Sequence, residues 1–420
     1  MIQIQDKNVE NQVYFPKSTN IEGDLVLKLH SELTQKDYTF DVVNESKTSN
    51  YYKFNVNFKS VENGEYTYFI NDTDSGLIRI GNVDESITTS TYIDGIEVVQ
   101  YYPQDVKEID YSKEPLTFKI SSGGTINWTA SNTAVTKTIE YKLNNGEWTS
   151  VTSNTGSLAP TINVVEGDKL QFKGDNRQYA TIFSNFNSFS GSTALFEAEG
   201  NIMSLIYGDD FKNHLTISSN YAFAGLFRDC TNLVSAENLV LPATTLAEYC
   251  YIGMFFGCTS LTTAPALSAT TLANGCYSNM FRDCISLTTA PVLPATTLSS
   301  NCYYYMFQGC TSLTTAPVLP ATTLEIYCYG YMFKGCTKLT TAPQLPATTL
   351  ADGCYSSMFE GCSSLNYIKC LATNISKYNC TGNWVSGVAS TGTFVKASSM
   401  TSWTTGNSGI PNNWTIENNI

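Results

Sequence analysis

Thirteen cysteines are the residues of this 420-residue chain whose type and spacing could do chemistry. Ten of them form five pairs, from Cys250 and Cys258 to Cys354 and Cys362, and the pairs recur every 26 residues. Thiols at a fixed spacing can form disulfides or bind zinc. Because equivalent thiols recur at one position of a repeat, they would lie above one another in a stack. The pattern therefore predicts ladders of reduced thiols packed as small apolar side chains.

The sequence argues against both disulfide formation within a repeat and metal binding by these thiols. The odd count argues against complete disulfide pairing, and two cysteines eight residues apart on one helix would be separated by about 12 Å of rise, too far for a bond. No Cys-x-x-Cys pair occurs, and the two histidines, His30 and His214, lie far from the cysteine pairs in sequence, so we predict no metal site. A disulfide network between repeats remains the alternative.

Enzyme motifs are missing from the sequence. It contains no Gly-x-Ser-x-Gly, His-Glu-x-x-His, phosphate-binding loop or dinucleotide glycine pattern. The adjacent carboxylates Asp209 and Asp210 could serve a glycosidase or a calcium site, but such a pair more often forms a turn or a helix cap. We therefore predict no enzymatic activity, no catalytic residue and no cofactor.

The elements that must position these residues follow from the 26-residue repeat. In one copy, apolar residues at offsets of 4, 8, 9 and 12 predict a helix: Leu298, Cys302, Met306, Phe307 and Cys310. Gly309 would end that helix, and Pro317 and Pro320 forbid a helix and fit an extended or turn connector. A short strand over 313–316 would stack on its equivalents at 287–290 and 339–342. The repeats therefore predict a helix-plus-strand solenoid, in which no single unit can bury its apolar face alone.

The repeats carry a resemblance to a known family. Copies of the form Cys-Tyr-x-x-Met-Phe-x-[Gly/Asp]-Cys alternate with Leu-Thr-Thr-Ala-Pro-x-Leu-[Pro/Ser]-Ala-Thr-Thr-Leu, and the segment 391–416 follows the last copy. This combination resembles the BspA-like leucine-rich repeats, in the Thr- and Cys-rich version found in gut Bacteroides-type bacteria and their phages, crAss-like phages included. The resemblance covers about residues 105 to 416. It implies adhesion or recognition and brings no catalytic residues with it.

The sequence before the repeats predicts β-structure. Apolar and polar residues alternate over 25–30 and 50–59, and Asn144-Asn145-Gly146 and Glu166-Gly167-Asp168 each lie between candidate strands as hairpin turns. A Ser- and Asn-rich stretch over 184–192 is predicted to be a long loop. The predicted fold class is multidomain, with two all-β, Ig-like sandwich modules before an α/β leucine-rich-repeat solenoid with a C-terminal cap. The predicted domains are 1–104, 105–200, 201–388 with an N-terminal repeat cap, and 389–420 as the C-terminal capping segment.

Charge and hydropathy exclude two kinds of partner. The net charge of −13 argues against a nucleic-acid binder, and no run of 18 apolar residues predicts a membrane span, so we expect neither nucleic acid nor membrane insertion. The first residues carry no export signal. A phage protein made in the host cytoplasm and released by lysis would need none, and the stretches 23–33 and 76–81 resemble the small β-modules that begin many Bacteroides-phage virion proteins.

Tyrosine positions in the repeats suggest where contacts could be made. One tyrosine recurs in every copy, at 251, 277, 303, 329 and 355, and that invariance favours a stacking ladder inside the scaffold. Positions that differ between copies are better candidates for ligand contact, because tyrosine suits glycan or protein recognition. The alternative is that these positions are solvent-exposed and their residue types vary without any role in binding. The six candidates are Ser278, Asn279, Tyr304, Tyr305, Gly330 and Tyr331.

These observations predict a phage virion protein, a fibre or decoration of head or tail. Its N-terminal module would bind other virion proteins of the capsid or tail, and its repeats would bind a glycan or protein on the host surface. A homo-oligomer, for which a trimer is one option, would add avidity. The alternative is a BspA-like adhesin on a bacterial cell surface, and the third option is a glycan depolymerase.

Overall fold

The computed structural model of the protein is described over part of its first hundred residues and nearly all of the rest. The described residues are 2–4, 10–16, 25–31, 36–42, 51–57, 61, 64–70, 74–80, 91–93, 96–98, 109–131, 134–401 and 403–419. They consist mostly of β-strands and turns with very little helix. The chain divides into two units, Met1–Val106 and Lys107–Ile420, which are described separately.

The described residues of the first unit lie almost entirely in β-strands. They are β1 (Ile2–Ile4), β2 (Glu10–Pro16), β3 (Leu25–Ser31), β4 (Lys36–Val42), β5 (Tyr51–Asn57), β6 (Gly64–Ile70), β7 (Asp74–Ile80), β8 (Thr91–Ile93) and β9 (Ile96–Val98). One sheet has the order β1-β7-β6-β3-β4, and β2 pairs with β5. Leu25, Leu27 and Leu29 are buried while Lys28 is exposed, which confirms the alternation predicted for this strand.

The second unit begins with further strands. They are β10 (Leu116–Ser122), β11 (Gly124–Asn127), β12 (Thr129–Ala130), β13 (Thr138–Leu143), β14 (Thr149–Thr152), β15 (Thr161–Val164), β16 (Lys169–Lys173), β17 (Ala180–Ile182), β18 (Asn185–Ser188) and β19 (Leu195–Asn201). The largest sheet runs β14-β13-β16-β10-β19 and continues into the first repeat. Two smaller sheets, β11-β15 and β12-β18-β17, accompany it. We call residues 109–201 the β-module.

Three local predictions in the β-module have different outcomes. The hairpin at Asn144 is confirmed, because β13 and β14 pair antiparallel and Asn144 has φ 51°. The hairpin predicted around Gly167 is wrong: β15 pairs with β11, whereas β16 pairs with β10 and β13, so the turn carries the chain from one sheet to another. The long loop predicted over 184–192 contains β18, which pairs with both β12 and β17.

The helix predicted in each repeat is wrong. The segment equivalent to Cys302–Cys310 is a chain of tight turns in every copy, and a left-handed residue recurs at every fourth position, as at Gly275 (φ 57°), Asn279 (φ 56°) and Asp283 (φ 60°). A right-handed helix cannot contain such residues. The [Gly/Asp] position of the motif is one of these left-handed residues, which explains its composition. We call this nine-residue stretch the turn segment.

Backbone hydrogen bonds explain why turns replace a helix. In the turn segment 276–284, alternate N–H groups donate to the next repeat, as from Tyr277 to the Cys302 carbonyl (3.0 Å) and from Phe281 to the Met306 carbonyl (2.9 Å). The N–H groups between them donate to the carbonyl three residues earlier in the same repeat, as from Met280 to the Tyr277 carbonyl (3.2 Å). Half of the donors therefore join neighbouring repeats, and the stack is held by its backbone as well as by its side chains.

The connector between turn segments is extended, as predicted. Its equivalent residues pair in parallel between neighbouring repeats, but as isolated bridges such as Thr289 with Thr315 and Thr271 with Thr297. The predicted stacking of equivalent connectors is confirmed, while the strand over 313–316 is reduced to a single bridge. Leu287, Leu293 and Ala295 are buried, and their equivalents in the other repeats form one core with the turn segments and the β-module.

Strands close the stack at both ends. At the first repeat, β20 (Leu233–Ser235) and β21 (Leu239–Val240) pair in parallel with β19, and a short helix, α1 (Ser204–Tyr207), precedes them. After the last repeat, β22 (Tyr367–Cys370), β23 (Thr393–Ala397) and β24 (Thr415–Asn419) form a parallel sheet. Among the residues described, no helix combines the length and apolar character needed to cross a membrane.

Candidate binding surface

The cysteines lie in the core. All thirteen are buried and unbridged. The second cysteine of a pair donates its S–H to a phenylalanine carbonyl of the preceding repeat, as from Cys310 to Phe281 (3.1 Å). Burial raises the pKa of the Cys302 thiol to about 12, which keeps it in the unreactive protonated form. The predicted burial of the thiols is confirmed, and the predicted reduced state stays a prediction.

The invariant tyrosines are also internal. Successive rings, such as Tyr277 on Tyr303, stack with centroids 5.9 Å apart and planes 12° apart. A parallel column of phenylalanines runs beside them, with Phe281 and Phe307 centroids 5.7 Å apart. The members of the tyrosine column are at most 2% exposed. The predicted ladder inside the scaffold is confirmed, so these tyrosines present no surface to a ligand.

The positions that differ between copies separate into two groups. Ser278 (4% exposed), Asn279 (8%) and Gly330 are buried. Ser278 donates its hydroxyl to the Tyr304 carbonyl (3.1 Å), so it supports the next repeat and faces away from solvent. Tyr304, Tyr305 and Tyr331 are half-buried. The candidates for contact are therefore narrowed to these three tyrosines.

The three tyrosines form one aromatic cluster together with Tyr327. Tyr304 contacts Tyr305 edge to face, with centroids 4.2 Å apart, and lies 5.5 Å from Tyr331 and 5.8 Å from Tyr327. The centroids of Tyr305 and Tyr331 are 4.5 Å apart. The cluster lies over Gly330, where a Cβ atom would be 3.1 Å from the Tyr304 ring. A side chain at 330 would press against the Tyr304 ring, so glycine leaves more room for the cluster. We call these four residues the tyrosine cluster.

Cations flank the tyrosine cluster on both sides. The Arg282 guanidinium lies 5.3 Å from the Tyr305 ring centroid and 5.2 Å from that of Phe256. The Lys334 ammonium lies 5.5 Å from the Tyr331 centroid and pairs with Glu360 at 2.9 Å. Such cation–π contacts order long side chains around the rings. The result is a half-exposed patch of phenol rings with charged groups at its edges.

Sequence reasoning missed Tyr327 and the two cations. Tyr327 is equivalent to Asn301 and Gly353, so it also occupies a position that differs between copies. The same variability argument would have found it. Arg282 and Lys334 share one repeat position with Phe256, which again differs between copies. Variability therefore marks the whole patch.

A second exposed surface follows the connectors. Both threonines of each Thr-Thr pair are exposed from 262 to 349, and bridged neighbours such as Thr289 and Thr315 are spaced at about 4.8 Å. Between the two rows of threonine pairs, Val292 is 77% and Val318 is 78% exposed. Sequence reasoning did not single out these residues. They form an uncharged strip of hydroxyl and methyl groups, which we call the threonine strip.

The paired carboxylates serve separate contacts. Asp209 pairs with the Lys173 ammonium at 2.9 Å, and Asp210 lies 3.3 Å from the His214 imidazole. Both residues are in a 3₁₀ turn, Gly208–Asn213. Within the described ranges, no group of three or more His, Cys, Asp or Glu side chains is arranged to hold a metal ion.

Comparison with known proteins returned no match: no family model, no curated protein and no solved structure is significantly similar to this chain.

Proposed function

We propose that the protein is a phage virion protein that displays its repeats for contact with the host surface. The observation that carries the proposal is that the aromatic and sulfur-containing positions conserved between copies are buried, whereas several positions that vary between copies are partly exposed to solvent. Repeated aromatic and sulfur-containing side chains are buried, whereas Tyr304, Tyr305, Tyr327 and Tyr331, at positions that differ between copies, meet solvent as one cluster. Phenol rings offer contact area and a hydroxyl at low ordering cost, which suits a glycan or a protein ligand.

The finer fold assignment belongs to the same proposal. We propose that the repeats are a leucine-rich-repeat solenoid of the BspA-like type, with turn segments in place of helices, and that the β-strands before them form two Ig-like sandwich modules. The parallel bridges between connectors and the single continuous core support a stack of repeats. The N-terminal module would bind the virion, and oligomerisation would multiply weak contacts.

Location is tested with an antibody raised against the repeats. Lysates of a culture that carries the gene are fractionated, and purified phage particles are labelled and analysed by mass spectrometry. We expect the chain in the particles. Its presence on uninfected cells alone would favour the alternative, a bacterial cell-surface adhesin, and would overturn the virion assignment.

Binding is tested with the purified full-length chain and host cells. A Tyr305→Ala/Tyr331→Ala variant removes two rings of the cluster, and we expect its cell binding to fall by at least about thirtyfold, since one side chain at the centre of an interface contributes about 2 kcal/mol or more. Tyr378→Ala is the matched control, because Tyr378 is 77% exposed and lies outside the cluster. Equal binding by both variants would remove the tyrosine cluster from the site. Cleavage of host capsular polysaccharide by the purified chain would make it a depolymerase.

A further inference from the structure

A basic pocket lies where the β-module meets the 3₁₀ turn Gly208–Asn213, and it belongs to neither of the exposed surfaces described above. It has a volume of about 620 Å³ and lies between the sheet and the turn at Asp209. Five lysines and the carboxylates of Glu114 and Asp209 line it. The lysines are Lys113, Lys142, Lys169, Lys173 and Lys212. The whole chain has a net charge of −13 and only 24 basic residues, so this concentration of positive charge is local and unusual.

A tryptophan forms part of the wall of this pocket. The ammonium groups of Lys142 and Lys173 lie 5.2 Å and 4.5 Å from the Trp148 ring centroid. Trp148 follows the turn at Asn144, and its side chain is half-buried. The hairpin between β13 and β14 therefore presents an indole ring whose surroundings are positively charged.

The lysines differ in how far their charge is already neutralised. Lys173 is 14% exposed and pairs with Asp209 at 2.9 Å, and Lys169 lies 3.5 Å from Glu114. Lys142 and Lys212 pair with no carboxylate in the part of the chain that the structure describes. These two ammonium groups are therefore available to an anion that enters the pocket.

We infer that this pocket binds an acidic saccharide, a sugar chain that carries carboxylate groups as uronic acids do. Lys142 and Lys212 would pair with the carboxylates, and the indole of Trp148 would contact the apolar C–H face of a sugar ring. The exposed amide of Asn145 would bind hydroxyl groups. The inference concerns a site apart from the repeats and holds whether the chain belongs to a virion or to a cell surface.

The test uses the full-length chain and a tetramer of galacturonic acid as the probe, with calorimetry and tryptophan fluorescence as readouts. We expect saturable binding that shifts the fluorescence and weakens as salt is added, because exposed charges are screened. A Lys142→Gln/Lys212→Gln variant should bind at least about tenfold more weakly, since it removes both charge-assisted contacts to the carboxylates. A Trp148→Ala variant should also lose affinity.

Matched controls separate this site from general charge effects. Lys338→Gln/Lys377→Gln removes the same charge from exposed positions outside the pocket and should leave affinity within about twofold. The thermal unfolding midpoint of each variant is measured as a control for folding. Equal binding of a neutral galactose tetramer, equal binding of polyglutamate, or no binding at about 1 mM probe would each overturn the inference. If the unmodified chain binds the galacturonic acid tetramer but does not bind host cells, the function proposed for the repeats is contradicted and the inference about the pocket stands.

Discussion

The ring of Phe189, in the β-module, lies face to face with the ring of Phe227, in the first repeat, with centroids 5.8 Å apart and planes 26° apart. Phe227 in turn stacks on Phe255 of the next repeat at 5.3 Å. The phenylalanine column of the repeats therefore begins inside the β-module. Because an open end of a stack exposes its apolar face, the β-module acts as the cap that covers it.

Phe189→Ala should destabilise the β-module and the first repeats that pack against it. Phe189 is fully buried, so its removal leaves a cavity at the junction, and we expect a loss of about 3–5 kcal/mol in the free energy of unfolding. The measurement is denaturant unfolding followed by fluorescence. Leu158→Ala is the control, because Leu158 is 71% exposed and its truncation should change stability by less than about 0.5 kcal/mol. A loss below about 1 kcal/mol for Phe189→Ala would contradict the capping role.

Two glycines at one repeat position separate backbone strain from steric clash. Gly309 (φ 73°) and Gly335 (φ 77°) are both left-handed. A Cβ atom at 309 would collide with the Asp283 carboxylate, whereas the nearest atom to a Cβ at 335 is 3.8 Å away. Gly335→Ala should therefore cost about 1–2 kcal/mol of strain alone, and Gly309→Ala should cost more. Thermal unfolding of both variants measures the difference. If either alanine were stabilising, the turn segment would be helical after all, since alanine favours a helix.

The repeat architecture could be read from the sequence, but the turn segment could not. A fixed period of 26 residues leaves stacking as the only way to bury the repeated leucines, and the bridge between Thr289 and Thr315 is its direct consequence. The apolar offsets of 4, 8, 9 and 12 from Leu298 span only thirteen residues, over which a period of 4 fits them at least as well as the helical period of 3.6. Hydrogen bonds between repeats decide in favour of turns, because N–H groups such as that of Tyr277 donate to carbonyls of the next repeat and not to carbonyls within a helix.

The residues of the candidate site could be predicted only in part, because variation between copies does not report burial. Variation between copies marked Tyr304, Tyr305 and Tyr331, and the structure brings these three half-buried rings together. The same variation includes Ser278 and Asn279, which are buried, so variation between copies does not by itself mark a position as exposed. The basic pocket carries no sequence signal, since Lys142 and Lys212 are brought together only by the fold.

Alkaline pH should unfold the repeats steeply. Burial raises the pKa of Cys302, Cys354 and Cys362 to about 12, whereas a thiol in an unfolded chain titrates near pH 8.5. The folded state therefore holds more protons, and its stability is intact below about pH 8.5 and falls as pH rises toward 12. Each thiol that ionises only on unfolding lowers the free energy of unfolding by about 1.4 kcal/mol per pH unit.

The measurement for the alkaline transition is the denaturation midpoint between about pH 7 and pH 10 under reducing conditions, a range that ends before most lysines titrate. Cys302→Ala removes one titrating thiol and should reduce the slope by about one proton, although the variant starts from a lower stability. A midpoint that stays constant to the upper limit would show that the thiols are ionised or exchange with solvent in the folded chain.

Trp384 closes both aromatic columns at the far end of the stack, and its truncation should loosen that end selectively. Its ring lies 6.2 Å from Tyr355 and 6.2 Å from Phe359, and its indole N–H donates to the Gly409 carbonyl at 2.8 Å. Trp384→Ala should cost about 3–5 kcal/mol, and Trp384→Phe less, because a phenyl ring keeps most of the contact but loses the hydrogen bond. In a stack each repeat contacts only its neighbours, so hydrogen exchange should accelerate over 354–388 and stay slow in the β-module. Uniform acceleration across 109–419 would mean that the whole unit unfolds as one cooperative body and that the end of the stack has no stability of its own.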